Sequence, residues 1–94
     1  MNDDNPRYGI HVLVFGVVQG VNFRRIVRDY CLGVNVQGWI RNLPDGSVEA
    51  EFYGKESAVK QVIDFCRTGV PRAVVENISV RGIPWTLYEG FQIR

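Results

Sequence analysis

The stretch Val36-Gln37-Gly38-Trp39-Ile40-Arg41-Asn42-Leu43-Pro44-Asp45-Gly46-Ser47-Val48-Glu49-Ala50-Glu51-Phe52-Tyr53 holds the reading on which the fold turns. Val36 to Asn42 and Ser47 to Tyr53 are two strand-like runs, rich in β-branched and aromatic residues. Between them, Leu43-Pro44-Asp45-Gly46 joins a proline, which pre-sets φ, to an Asp-Gly pair that turns tightly. The two runs are therefore predicted to form a β-hairpin.

Outward from the hairpin, the period changes on both sides. Upstream, Phe23, Ile26, Val27, Tyr30, Cys31 and Val34 form one apolar stripe at helical spacing. Asn22 precedes it as a good N-cap, and Gly33 stands where a left-handed terminating residue is usual. Before that helix, Tyr8 to Phe15 reads as a strand ending at Gly16. Downstream, Lys55 to Arg67 returns to helical spacing, with Val59, Val62, Ile63 and Cys66 inward and the pair Glu56/Lys60 outside. Gly69 and Pro71 stop it, Ala73 to Arg81 is a fourth strand, and Phe91 to Ile93 a short fifth piece. The order β-α-β-β-α-β predicts an α+β fold: a ferredoxin-like split β-α-β, an antiparallel sheet with two helices on one face.

At 94 residues the chain is one domain spanning 1–94, of which residues 1–7 are expected to be a flexible N-terminal segment. Hydrophobic residues at 46% and charged residues at 22% place it among globular rather than disordered chains. Eleven Lys and Arg against ten Asp and Glu leave a net charge of +1, which argues against a nucleic-acid or anionic-membrane partner. The first residues are polar and carry Asp3 and Asp4, unlike a secretory signal, and no apolar run reaches the ~18 residues of a membrane span. The expected compartment is the cytoplasm. His11 is the only histidine, and Cys31 and Cys66 lie far from metal-ligand spacing. Triad chemistry and multi-histidine zinc sites are excluded, and neither metal nor cofactor is expected. The fold alone does not select a function. A metal-chaperone reading needs a Cys-x-x-Cys after the first strand, and none is there. An RNA-recognition reading needs stacked aromatics on one face, whereas Phe52 and Tyr53 are adjacent and point opposite ways.

The chemistry concentrates in Gly16-Val17-Val18-Gln19-Gly20-Val21-Asn22-Phe23-Arg24-Arg25. Two glycines let backbone N–H groups turn inward as a nest for an anion, and the loop runs into a helix N-terminus with its unsatisfied donors. Arg24 and Arg25 follow in the first helical turn, where a cation is unfavourable by roughly 0.3–1 kcal/mol. Something negative is expected to dock there. No Gly-Lys-Ser/Thr follows, so this is not a nucleotide-hydrolysing P-loop.

Gly16-x-Val18-Gln19-Gly20-Val21-x-Phe23-Arg24, followed by Gly38-Trp39-Ile40-Arg41-Asn42 and Asp45-Gly46-x-Val48-Glu49, resembles the acylphosphatase family. Gly69-x-Pro71-x-Ala73 and Phe91-x-Ile93-Arg94 extend the resemblance over nearly the whole chain. It implies a small ferredoxin-like hydrolase that cleaves carboxyl-phosphate bonds with no metal or cofactor. By position, Arg24 becomes the phosphate-binding arginine, Asn42 the residue that orients the attacking water, and Gly16, Val17, Val18, Gln19, Gly20 and Val21 the backbone cradle. The implied partners are a small acyl phosphate as substrate and inorganic phosphate as product and competing ligand, with the protein a monomer. Three positions depart from the family pattern: Val17, where a basic or larger residue is common; Asn22, where glycine or another small or aromatic residue is; and Val70, where proline is.

A carboxylate leaves easily, so an acyl phosphate needs little acid catalysis. What remains is to stabilise charge on the phosphoryl oxygens and to place a water in line. A guanidinium fork with fixed N–H groups suits the first task, and an amide that both accepts and donates suits the second. The rival reading is a non-catalytic phosphate- or anion-binding module, which would need Arg24 and the loop but not Asn42. Arg25 reads as a solvated charge, and Gln19 as hydrogen-bonded within its loop. His11 and Trp39 read as sheet residues, and the two cysteines as buried apolar groups.

Overall fold

A computed structural model describes residues 6–94. Five strands and two helices follow in the order β1 (Arg7–Val17), α1 (Phe23–Gly33), β2 (Gln37–Asn42), β3 (Val48–Lys55), α2 (Glu56–Thr68), β4 (Val74–Ile83) and β5 (Phe91–Ile93). The strands form one sheet in the order β4-β1-β3-β2-β5. β3 lies antiparallel to both β1 and β2, so β1 and β2 run parallel with β3 between them, the split β-α-β arrangement. β5 pairs parallel to β2, so the sheet is mixed rather than wholly antiparallel. Of the segment 1–7, residues 1–5 lie outside the described residues; Arg7 already opens β1, and the Pro6 carbonyl accepts from Glu56 N at 2.9 Å.

Alternation along the strands decides which side chains the helices cover. Ile10, Val12 and Val14 of β1, Val48, Ala50 and Phe52 of β3, and Ile40 of β2 point to one face and are buried. Val27 and Cys31 of α1 and Val59, Val62 and Cys66 of α2 close over them. Each such Val, Ile or Phe side chain contributes about 1.5–3 kcal/mol when fully removed from water. Between the helices, Tyr30 and Phe65 stack with ring centroids 4.0 Å apart. Among the described residues, no helix covers the other face. There Trp39 donates to Glu51 at 3.1 Å and lies under the Arg94 guanidinium, 4.4 Å from the ring centroid.

Both ends of α1 differ from the expected capping. Asn22 does occupy the N-cap, but at φ 63 and with no side-chain cap bond. Asparagine is among the few non-glycine residues that accept this left-handed geometry, which explains its place where glycine is common. At the far end the left-handed residue is Asn35 at φ 60, not Gly33. Val36 N bonds back to Cys31 O at 2.8 Å, a Schellman closure that delivers the fully buried Val36 into the core. The helix ends at Gly33, and the left-handed turn that makes this delivery possible comes two residues later, at Asn35.

Candidate active site

β1 reaches the site through a bulge. Its register on β4 shifts between Phe15 and Gly16, and Gly16 sits at φ 129, where an added Cβ would lie 2.1 Å from Val74 O. Gly16 and Val17 thus belong to the end of the strand, and the loop proper runs from residue 18 to 22. Within it Val18 is buried in the core, which anchors the loop, and Gly20 turns at φ 75.

On the other side, Asn42 is the last residue of β2 and pairs with Val48. It shares the face of Ile40, two residues earlier, so it points under the helices, toward the start of α1. The turn beyond it closes by Gly46 N to Leu43 O at 3.2 Å and Leu43 N to Ser47 O at 2.9 Å, with Gly46 at φ 93. Asp45 accepts from Ser47 N at 2.9 Å and from the Ser47 hydroxyl, and these bonds hold its carboxyl below the usual range.

Between loop, helix and strand end lies a cavity of about 230 Å³. Its walls include Val18, Gln19 and Gly20 from the loop, Arg24 and Arg25 from α1, and Asn42. Among the described residues, no carboxylate lines it, α1 has no acidic residue in its first turn, and neither arginine has an ion-pair partner. Two arginines and a helix N-terminus therefore line the cavity without a compensating negative charge among the described residues. Asn42 Oδ1 is the one buried side-chain polar atom without a hydrogen-bond partner among the described residues. A buried acceptor left in that state costs about 1–3 kcal/mol, so its position calls for a donor from the cavity.

The acylphosphatase family model matches residues 10–93. An acylphosphatase of Haloquadratum walsbyi is 49% identical over 84 residues, covering 89% of this chain and 90% of that one. This chain belongs to the acylphosphatase family. Its fold agrees: the structure of an acylphosphatase from Coxiella burnetii superposes with a TM-score of 0.90 at 34% identity, covering 96% of this chain and 94% of that one. That of Bacillus subtilis gives 0.88 at 31%, covering 92% and 97%.

The acylphosphatase signature blocks, distant in sequence, thus meet at one cavity. Arg24, Asn42, Val18, Gln19 and Gly20 line it; Gly16, Val17 and Val21 do not, although Gly16 shapes the bulge that aims the loop. Sequence reasoning missed three features. Arg25 is solvent-exposed as expected, yet it also lines the same cavity. Ile93 of β5 forms part of the wall, and no local pattern announces it because its place depends on the parallel pairing with β2. The Gln19 side chain leaves its own loop and donates to Leu43 O and Ser47 O. Of the other departures, Val17 is 54% exposed at the end of β1, and Val70 is a core residue.

Proposed function

We propose that this acylphosphatase hydrolyses the carboxyl-phosphate bond of small acyl phosphates through Arg24, the loop and Asn42. Arg24 and the N–H groups at the loop and helix start bind the phosphoryl oxygens, as a planar fork beside fixed dipoles. Asn42 Oδ1 accepts a hydrogen bond from a water, which turns the water's lone pair toward phosphorus. The water oxygen bonds to phosphorus while the phosphorus–acyl oxygen bond breaks, and the carboxylate leaves with the electron pair. A neutral amide takes no proton, so the water's proton passes to a phosphoryl oxygen, giving inorganic phosphate. That product is also a ligand of the same cradle, competing with substrate. No step requires a metal or cofactor.

The orphaned Asn42 Oδ1 carries this reading. An amide oxygen facing an anion is repulsive, so a module built only to bind phosphate would gain nothing from it; a water-holding acceptor is what hydrolysis needs. The near-neutral charge gives no field for nucleic acid, and among the described residues no helix is long and apolar enough to cross a membrane. The two free, buried thiols suit a reducing compartment such as the cytoplasm, with the protein acting as a monomer. The test is hydrolysis of benzoyl phosphate by the full chain, before and after exhaustive treatment with EDTA. Equal turnover in both is expected. Phosphate binding without turnover would favour the anion-binding module, and activity restored only by a divalent ion would overturn the mechanism.

A further inference from the structure

The Gln19 side chain joins the loop to the hairpin turn across the site. Its Nε2 donates to Leu43 O at 2.8 Å and to Ser47 O at 2.9 Å, the carbonyls at the base of the turn just beyond Asn42. Both amide hydrogens are thereby used on the hairpin, while Gln19 itself lines the cavity from the loop side. The ladder between β1 and β3 ends at the Val14–Val48 pair. Beyond it, among the described residues, no other side-chain hydrogen bond joins the loop to the hairpin turn.

The turn does not need these bonds to close. Leu43 O already accepts from Gly46 N, and Ser47 O from Leu43 N. Each carbonyl has a second lone pair, and Gln19 fills it. Removing the amide therefore orphans no buried carbonyl, and its contribution to folding is small. What the two bonds do control is the separation between the loop that holds phosphate and the strand end that holds water.

We propose that Gln19 is a positioning residue, setting that separation and so governing turnover more than anion affinity. The proposal rests on the reading of Asn42 as the holder of the water. In-line attack needs the reacting atoms about 3–3.5 Å apart, and a misplacement of ~1 Å costs on the order of a hundredfold. Phosphate binding uses the loop and Arg24, which belong to one continuous stretch of chain, so it tolerates a displaced hairpin.

The test uses the full chain with Gln19→Met, which keeps the length without donors, and Gln19→Glu. For Gln19→Met, kcat on benzoyl phosphate is expected to fall on the order of 10–100-fold, while the calorimetric Kd for inorganic phosphate stays close to wild type. For Gln19→Glu, the carboxylate has no hydrogen to donate at pH 8, so kcat is expected to be equally low. Once protonated it donates to one carbonyl, so its kcat relative to wild type at the same pH rises several-fold on going to pH 5. A purely structural role would leave that ratio flat. A flat ratio, a wild-type kcat in Gln19→Met, or kcat and phosphate affinity falling by the same factor each overturn the proposal. Should Gln19→Met not fold, Gln19→Glu at the two pH values carries the test alone. A wild-type chain that binds phosphate but hydrolyses nothing overturns the hydrolase reading and this proposal together; an active wild type with unaffected variants overturns this one only.

Discussion

His11 Nε2 and the Glu49 carboxylate meet at 2.8 Å on the face of the sheet that no helix covers. They come from neighbouring strands, and Arg41 of β2 donates to the other Glu49 oxygen at 2.6 Å. A carboxylate thus bridges three strands behind the core, one of them the strand that ends in Asn42.

The hydrogen bond from His11, and then that from Arg41, hold the Glu49 carboxyl below its ordinary value against the opposing effect of burial. A folded pKa below the unfolded one adds stability that is fully present above the unfolded value, about 4.3. It is lost as pH falls through the folded pKa. Glu49→Gln should therefore unfold at a lower temperature than wild type at pH 7, with the difference shrinking below about pH 4. Thermal unfolding followed by circular dichroism across that range checks it; a constant difference would separate Glu49 from the acid sensitivity.

Arg24 and Asn42 should fail in different ways. Arg24→Ala is expected to lose phosphate affinity and turnover together, and Arg24→Lys to do little better, because a point charge does not reproduce the two-pronged contact. Asn42→Ala removes the acceptor for the water but nothing that holds the anion. Its kcat should drop on the order of a hundredfold, about 2.7 kcal/mol of barrier, with phosphate affinity near wild type. Steady-state kinetics beside calorimetric phosphate binding separates the two. Full turnover in Asn42→Ala would return Asn42 to a plain strand end.

Inorganic phosphate and sulfate should inhibit competitively, since two arginines and a helix N-terminus line the cavity that a tetrahedral anion would enter. Added salt should weaken the inhibition, through screening of the charge facing the cavity mouth. Strictly non-competitive inhibition by phosphate would place the anion elsewhere.

Cys31 and Cys66 should be silent in the native protein. Burial pushes the Cys66 thiol up to about 12, and burial with the neighbouring Cys66 pushes Cys31 higher still. Thiolate is the reactive form, so a disulfide-exchange reagent at pH 8 should label neither thiol until the helices open. Complete labelling in denaturant with none in buffer is the expected pattern; prompt native labelling of either would contradict its burial.

Much of this was legible in the chain because the signals are local. Phe23, Val27 and Cys31 fall on one helical stripe and do face the core, and Pro44-Asp45-Gly46 does turn the hairpin. Strand limits moved by up to two residues, as with β1 running on to Val17 instead of ending at Phe15, since ladder partners rather than residue type decide where pairing stops. Arg24 and Asn42 were named from the sequence through the family resemblance; neither periodicity nor turn chemistry distinguishes Asn42 from any residue before a turn.

Sequence alone determined the elements, their order and the core-facing stripe of each helix, because periods of 2 and 3.6 are properties of a few consecutive residues. Tertiary structure alone decided that β5 joins parallel to β2 and brings Ile93 to the cavity, and that Gln19 reaches across to Leu43 and Ser47. It also left Asn42 Oδ1 buried without a partner among the described residues. Those facts depend on which segments pack side by side once the core has closed, and a side chain's hydrogen-bond partners are set by whatever backbone the fold delivers to it, however distant along the chain.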